Sequence, residues 1–127
     1  MTGLYDYVDL LAKGADASYL RNETIAQNIA NVDTVNYERQ DVDFEGALQQ
    51  ALMKNSYVSL DDKVSRMDLS DLDVKVYTEH TSYSYRLDGN NVDIDTENVE
   101  LAKNQLVYRG LTSSITQELN RIQSVCK

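Results

Sequence analysis

The sequence contains no proline and no tryptophan, and it has one phenylalanine and one cysteine among 127 residues. The shortage of large apolar side chains limits the core that the chain can bury, which argues against a compact enzyme domain. The single cysteine, Cys126, cannot form a disulfide within the chain, so the fold does not require oxidation. The sequence also lacks a run of roughly 18 apolar residues, the length of a membrane-spanning helix.

Basic residues are scarce as well, because 12 Lys and Arg face 21 Asp and Glu, for a formal net charge of -9. Such a chain lacks the basic surface that binds nucleic acid or an anionic membrane. Residues 1–40 carry six acids and three bases, residues 41–100 carry fourteen and five, and residues 101–127 carry one and four. The two ends are therefore weakly complementary in charge, and the middle is acidic and solvated.

The amino-terminal stretch "MTGLYDYVDLLAKG" has neither a basic region nor a long apolar run, so it does not resemble a secretory signal peptide. This pattern predicts a cytosolic protein, or one that is exported by a route that removes no segment.

Apolar and small residues recur near the amino terminus with a strict alternation of four and three positions. This heptad-like seam predicts one long helix and comprises Leu4, Val8, Leu11, Ala15, Ser18, Asn22, Ile25, Ile29 and Val32. Its two polar members cost stability but can fix the register of a helix pair. An amphipathic helix packed on its own domain is the alternative. Asn31 and Asp33, which readily bond to their own backbone, predict the exit from the helix.

The middle of the chain, residues 37–95, is predicted to be polar and to contain a short helix and a β-hairpin. Asp43 is a good N-cap for a short helix over residues 43–54. Residues 55–75 are acidic and weakly patterned, which predicts a loop of limited order. The stretch "VYTEHTSYSYRLDGNNVDI" predicts a β-hairpin. Its turn is "DGNN" and its strand-forming residues are Tyr77, Thr81, Tyr83, Tyr85 and Leu87.

A second long helix is predicted from residue 96 to the carboxyl terminus, with Asp95 or Thr96 as its cap and Glu97 near the positive end of its dipole. Its apolar stripe comprises Leu101, Tyr108, Leu111, Ile115, Leu119, Ile122 and Cys126. The predicted fold is thus mainly α, with helical segments 1–36 and 96–127 on either side of the polar middle.

Candidate catalytic and metal-binding residues have simpler explanations. His80 is the only histidine, and no nucleophile or orienting group lies near it in sequence. Asp88, Asp93, Asp95 and Glu97 do not have the spacing of a calcium loop, and turn and cap chemistry explains them. Cys126, near a helix end, is interpreted as a small buried apolar group. The sequence predicts neither an enzyme nor a cofactor.

The segment "NIANVDTVNYERQDVDF", residues 28–44, resembles the amino-terminal signature of the bacterial flagellar rod and hook protein family. In that family NIAN is followed by a short gap and Thr-Pro-Gly-Tyr, so Val35-Asn36 stands here for Pro-Gly. Residues 87–115 are similar to the carboxyl-terminal half of the proximal rod members, through Asp88 to Asn90, Val92-Asp93, and Asn104 with Tyr108. Residues that match the amino-terminal signature are Asn28, Ile29, Ala30, Asn31, Thr34 and Tyr37.

The resemblance implies a structural subunit whose terminal helices pair as a coiled coil in the wall of a helical tube around an export channel. It implies binding to other copies, to other rod proteins (FlgC type), to the adaptor between rod and membrane ring (FliE type) and to the flagellar type III export apparatus. It also implies a basal-body location reached without cleavage. We expect Leu11, Ile25 and Ile29 to pack against Leu111, Ile115 and Leu119 in the assembled state, and Asn28 and Asn31 to bond the turn or a neighbour.

Two other classes of function remain as alternatives at this point. A cytoplasmic helical adaptor or export-chaperone-like protein would use the terminal helices as a stable dimer and its acidic surface for basic partners. An enzyme with dispersed catalytic residues has no constellation of residues in its favour.

Overall fold

The computed structural model describes residues 4–54, 58–80 and 87–126. In chain order its elements are helix α1 (Asp6–Ala30), strand β1 (Gln40–Asp43), helix α2 (Glu45–Met53), helix α3 (Leu60–Arg66), a short 3-10 helix (Leu69–Leu72), strand β2 (Lys75–Thr78) and helix α4 (Ile94–Val125). The predicted mainly α class, with a long helix toward each end, is confirmed.

Helix α4 begins two residues earlier than predicted, because the cap is Asp93 rather than Asp95 or Thr96. The Asp93 carboxylate accepts the backbone N–H of Asp95 at 3.0 Å and the Thr96 hydroxyl at 3.1 Å. One side chain thus satisfies an otherwise unpaired amide of the first turn and ties down a second residue.

The long helices α1 and α4 pack antiparallel, and three contacts fix their register. Asn28 at the end of α1 meets Glu97 in the first turn of α4, Ser18 meets Asn104, and Gly14 lies against Leu111. A Cβ at Gly14 would sit 3.4 Å from the Leu111 side chain, so glycine allows this close approach.

The register within one chain differs from the seam pairing predicted for the assembled state, which stays a prediction. Because Asn28 lies beside Glu97, Ile25 and Ile29 lie at the level of the first turns of α4 and not beside the segment from Leu111 to Leu119. Leu11, close to Gly14 in sequence, does lie at the level of that segment.

The predicted small antiparallel sheet is present, but the predicted partner strand is wrong. Strand β1 pairs with β2 in the register Gln40 to Thr78, Asp41 to Tyr77, Val42 to Val76 and Asp43 to Lys75. Residues 92 and 93 form no strand. Of the hairpin residues, Tyr77 lies in β2 and Leu87 is exposed, whereas Thr81, Tyr83 and Tyr85 lie outside the described residues.

The cap of α2 is also shifted by one residue, to Phe44. Asp43 nevertheless acts on the first turn of this helix, since its carboxylate accepts the Gly46 N–H at 2.9 Å.

Residues 58–75 are more regular than the predicted loop. Ser59 caps α3 by accepting the Asp62 N–H, and Asp68 caps the 3-10 helix through the Ser70 N–H. Val64 and Leu72 are buried. Two apolar anchors with local caps suffice for short elements, although the segment lacks the periodicity of a long helix.

The interior is as polar as it is apolar. The buried hydrophobic residues are Ala17, Ile25, Val42, Val64, Leu72 and Val92, and the buried polar ones are Ser18, Thr24, Asn28, Asn90, Glu97 and Asn104. With so little apolar surface inside, directed hydrogen bonds must define how the elements fit together.

The apolar stripe of α4 is only partly covered within the chain. Leu101, Leu111, Ile115 and Ile122 are half-buried, whereas Tyr108 and Leu119 are 41% and 44% exposed. On α1, Val8, Leu11 and Val32 are half-buried, Ile25 is buried and Leu4 is 54% exposed. None of the helices described combines the length and apolarity that a membrane crossing requires.

Candidate functional site

Asn28, in the last turn of α1, is the centre of a buried polar cluster and is fully inaccessible to solvent. Its amide nitrogen donates to the Gln40 carbonyl at 2.8 Å and to a Glu97 carboxylate oxygen at 3.2 Å. Its amide oxygen accepts the Gln40 N–H at 2.9 Å and the Tyr37 hydroxyl at 3.2 Å. Asparagine fits this position because the site requires donors and acceptors on one short side chain.

Glu97 brings a buried negative charge into the same cluster, because its side chain is 0% exposed. One carboxylate oxygen accepts the Arg39 Nε–H at 2.6 Å and the other accepts the Asn28 amide. A buried carboxylate is tolerated only when a positive charge and hydrogen bonds compensate it, and here both do.

Arg39 joins this carboxylate to the sheet. Its Nη1 donates to Glu79 at 2.7 Å and lies 3.5 Å from Asp41. Burial disfavours the charged guanidinium, but the hydrogen bonds to Glu97 and Glu79 outweigh that effect and raise the pKa of Arg39. The arginine therefore stays charged and holds the start of α4 against the segments around β1 and β2.

The chain leaves α1 through a turn that Asn90 holds from the other half of the sequence. The Asn90 amide nitrogen lies 2.8, 3.0 and 2.8 Å from the carbonyl oxygens of Asn31, Val32 and Thr34. The Asn90 amide oxygen accepts the Val92 N–H at 2.8 Å. These carbonyls follow the end of α1, and those of Asn31 and Thr34 also accept the backbone N–H groups of Thr34 and Tyr37, so Asn90 fastens the exit turn from a distant part of the sequence.

The signature residue Asn31 bonds locally. Its side-chain nitrogen donates to the Gln27 carbonyl at 2.8 Å, and its oxygen accepts the Thr34 hydroxyl at 3.0 Å. Within one chain both residues therefore shape the turn. Ile29 of the same signature is half-buried, and Ala30 is exposed.

Asn36 and Gly89 explain how the exit turn forms without proline. Asn36 has φ +59°, a left-handed conformation that asparagine adopts more readily than most residues, and its N–H donates to the Asp88 carbonyl at 2.8 Å. Gly89 has φ +77°, a conformation that residues with a side chain rarely adopt, and a Cβ there would crowd the Asn36 side-chain oxygen. The two turns "VN" and "DGNN" thus interlock, and a side chain at position 89 would strain the backbone and displace that of Asn36.

Tyr37 completes the cluster from the exit segment. Burial raises the pKa of its hydroxyl, and the negative charge of Glu97 raises it further. We call the cluster of Asn28, Tyr37, Arg39, Glu97 and Asn90 the junction. It joins residues from both ends of the sequence, up to 69 positions apart.

A second anchor ties α2 to the same helix. Arg21 binds both carboxylate oxygens of Glu45, at 2.9 and 2.6 Å, and donates to the Val42 carbonyl at 2.9 Å. The hydrogen bond from Arg21 lowers the pKa of Glu45. This fork-like pair orients the start of α2 against α1.

Sequence reasoning missed the roles of Arg39, Glu97, Asn90 and Arg21. It assigned Glu97 to the helix dipole and to cap chemistry, whereas the structure places it in an ion pair with Arg39. The available signal was the presence of "ER" directly after the signature in a segment with few bases. Nothing local indicated that the partner of Arg39 lies 58 residues further on.

The other reactive side chains do not meet in one place. His80 is 78% exposed just after β2, and its Nδ1 lies 2.9 Å from Glu38. Cys126 is exposed, so its interpretation as a buried apolar group is wrong. Among the residues that the structure describes, no group of three or more His, Cys, Asp or Glu side chains could hold a metal ion.

The chain is similar over most of its length to known proteins from diverse bacteria. It is 37% identical over 128 residues to the flagellar basal body rod protein FlgB of Borrelia hermsii, covering 94% of this chain and 95% of the relative. It is 34% identical over 107 residues to FlgB of Bacillus subtilis (84% and 81%), and 29% identical over 112 residues to FlgB of Escherichia coli (83% and 81%). No protein-family model matches the chain.

Proposed function

This chain belongs to the FlgB family of flagellar basal body rod proteins, and we propose that it assembles with itself and other rod proteins into a helical tube that transmits torque and encloses the export channel. Its role as a structural subunit of the rod follows from the family. The observation that carries the proposal is the likeness over 94% of the chain, because it includes both terminal helices and the junction.

Assembly would proceed through the terminal helices. The stripe of α4 leaves Tyr108 and Leu119 more than 40% exposed, and Leu4 at the other end is 54% exposed. Apolar side chains at seam spacing gain stability when a neighbouring helix covers them. We propose that the half-covered seam completes its coiled-coil packing in the assembled rod.

The junction would set the geometry of that assembly. It fixes the angle at which the chain leaves α1 and the register of α4 against α1. The signature residues Asn28, Asn31, Thr34 and Tyr37 would act through this shape, and the half-buried Ile29 and exposed Ala30 would lie beside neighbouring subunits. The segments 1–36 and 96–127 would then form the rod core, with residues 37–95 as an insertion.

We extend the proposal to the binding partners of the chain and to its export route. The chain would contact rod proteins of the FlgC type and the adaptor of the FliE type, and it would pass through the flagellar type III export apparatus without cleavage. Its location would be the periplasmic rod of the basal body. It would bind no nucleic acid and carry out no catalysis.

The test is quantitative mass spectrometry of purified hook–basal bodies after loosely bound protein has been stripped. We expect this chain at a few copies per basal body. Recovery only from the cytosol would refute the rod role and favour the cytoplasmic adaptor.

A pair of variants tests the helical seam in the same preparation. Leu119→Asp places a charge on the exposed stripe of α4 and should prevent incorporation, because assembly would bury an unpaired carboxylate. Val76→Asp is the matched control, since Val76 on β2 is 43% exposed against 44% for Leu119. Ile25→Asp is less informative, because Ile25 is 2% exposed and the change would unfold the single chain. Normal copy numbers of the Leu119→Asp chain would contradict the seam.

A further inference from the structure

The side of α1 that faces away from α4 carries a second heptad pattern, and its members are all exposed. We call this stripe the acidic face, which comprises Tyr5, Asp9, Ala12, Asp16, Tyr19, Glu23, Ala26 and Ala30. Three acids recur every seven residues, and Tyr19 between them is 60% exposed. Lys13 borders the stripe and is half-buried. An exposed stripe with heptad spacing is a surface on which another helix can lie lengthwise.

The outward side of α4 has the opposite charge. We call it the basic face, which comprises Val99, Lys103, Leu106, Arg109, Gly110, Ser113, Gln117 and Arg121, all of them exposed. Leu106 is 68% exposed, and a Cβ on Gly110 would meet nothing within 4 Å. Two of its bases have acidic partners on α4, since Lys103 donates to Glu100 at 3.1 Å and Arg121 to Glu118 at 2.8 Å, whereas Arg109 has no ion-pair partner among the described residues.

Within one molecule the two faces approach each other at one place, where Tyr19 and Arg109 line the same groove. Elsewhere helices α1 and α4 contact each other through their opposite sides, where Ser18 meets Asn104 and Gly14 meets Leu111. Because the rest of each face points away from the other, the two faces can pair along their length only between copies. Contact between two different patches is heterologous, so it continues from copy to copy and produces a helical filament instead of a closed dimer.

A groove beside the acidic face supplies an independent reason to expect a donor there. The groove has a volume of about 380 Å³ and is lined by Ser18, Tyr19, Asn22, Asn104, Gln105, Tyr108 and Arg109. The side-chain oxygens of Asn22 and Asn104 are buried and have no hydrogen-bond partner among the described residues. Asn104 is only 4% exposed. Unpaired acceptors just beneath the lining of a groove favour a partner that brings N–H donors, such as lysine or arginine, which reaches them when the lining side chains shift.

We propose that the acidic face and its groove on one copy bind the basic face of a second copy. The inference rests on the proposed function and adds to it which two faces make one subunit contact. Charge complementarity selects the register and the partner, and the exposed apolar members of both faces supply the buried area.

Charge exchange in cells tests the pairing. One variant carries Asp16→Lys and Glu23→Lys, a second carries Lys103→Glu and Arg109→Glu, and a third combines all four changes. Each pair of changes should lower the copy number in purified basal bodies by roughly tenfold or more, since like charges then oppose each other. The combined chain should return to within about twofold of the unsubstituted chain, because both faces have changed sign together.

Controls separate this inference from the proposed function. Asp62→Lys with Asp73→Lys makes the same charge change at exposed sites away from both faces and from the exit turn, and should leave incorporation unchanged. Circular dichroism of the purified variants should show unchanged helix content. Normal incorporation of both single-face variants would overturn the pairing, and so would a combined chain that stays defective. Absence of the unsubstituted chain from basal bodies would refute the proposed function itself.

Cross-linking supplies a direct readout. In a chain with Cys126→Ser, the pair Glu23→Cys and Lys103→Cys should give disulfide-linked multimers in basal bodies, whereas Asp73→Cys with Lys103→Cys should not. Cross-linking of the Glu23→Cys chain to itself would indicate a symmetric contact between acidic faces and would overturn the proposal.

Discussion

Removing the charge of Glu97 should be the most damaging conservative change in this protein. Glu97→Gln keeps the shape of the side chain but leaves one acceptor oxygen where the cluster uses two. Arg39 Nε–H and the Asn28 amide both donate to Glu97, at 2.6 and 3.2 Å, so one of these donors would face an NH₂ group instead. The change therefore leaves a buried donor unpaired as well as removing the partner of a charge.

The size of the stability loss depends on the contacts that Arg39 keeps after the change. Breaking a buried ion pair costs about 3–5 kcal/mol. Arg39 keeps Glu79 at 2.7 Å after the change, and its side chain retains 15% exposure. We therefore expect Glu97→Gln to lower the free energy of unfolding by about 2–4 kcal/mol. Arg39→Met should cost about 3–5 kcal/mol, because it leaves the fully buried Glu97 carboxylate with Asn28 alone.

The assay is urea unfolding of the purified chain followed by far-ultraviolet circular dichroism. The two single variants and the double variant form a cycle, and the double variant should lose at least about 1.5 kcal/mol less than the sum of the single losses. Glu100→Gln is the matched control, one turn away and paired with the exposed Lys103, and should change stability by less than about 0.5 kcal/mol. A Glu97→Gln loss as small as that of the control, or additive losses in the cycle, would refute the ion pair as an organiser of the fold.

Further predictions concern the exit turn. Gly89→Ala should destabilise the chain by about 1–3 kcal/mol, because φ is +77° and the new Cβ would crowd the Asn36 side-chain oxygen. Gly110→Ala, inside α4 with open space around it, should instead stabilise the chain by about 1 kcal/mol, and thermal unfolding compares the two variants. The pKa of Tyr37 is raised from 10.0 in the folded chain, so above pH 10 the unfolded chain loses the hydroxyl proton before the folded chain does. The protonated hydroxyl therefore contributes to the free energy of unfolding below pH 10, and this stabilisation is lost as the pH rises further. Tyr37→Phe should be less stable at neutral pH, where it lacks the hydrogen bond to Asn28, but should lose less stability between pH 9 and 11; parallel pH profiles for the two chains would contradict this.

The long helices were predictable because their signals are local. Seam spacing marks both α1 and α4, and the cap of α4 could be placed to within two residues from the cluster of acids around Asp93. The left-handed conformation of Asn36 could be anticipated from its side chain. In each case the residues that determine the structure lie within a few positions of it.

The pairing of the sheet and the helical turns between residues 60 and 72 were mispredicted because their causes are not local. Turn residues at "DGNN" favoured a hairpin, but the chain uses this turn to hold the end of α1 and pairs β2 with the distant β1. Residues 60–66 carry too few apolar positions for a periodic signal, and α3 forms because Val64 is buried and Ser59 supplies a cap. Tertiary context decides such segments, and it is absent from a short window of sequence.

For the candidate site, too, the sequence identified some residues but not the distant contacts that they make. The resemblance singled out Asn28, Asn31 and Tyr37, but their contacts could not be derived from it. Arg39 and Glu97 are 58 residues apart, and no pattern within either segment identifies the other as its partner. A buried charge needs a counter-charge, which tells a reader that a partner exists without saying where it lies.

The polar character of the junction follows from the composition with which the sequence begins. A chain with one phenylalanine and no tryptophan cannot define the angle between its ends by interlocking large apolar side chains. Hydrogen bonds among Asn28, Arg39 and Glu97 can define that angle. Each of these buried polar groups accepts few geometries, and leaving one without a partner is costly. The design also makes the fold depend on both ends of the sequence at once, since Glu97 and Asn90 come from one half and Asn28 and Arg39 from the other. A chain whose two ends must meet in this way presents its outward helix faces in a fixed relative orientation, which is what a repeating heterologous contact requires.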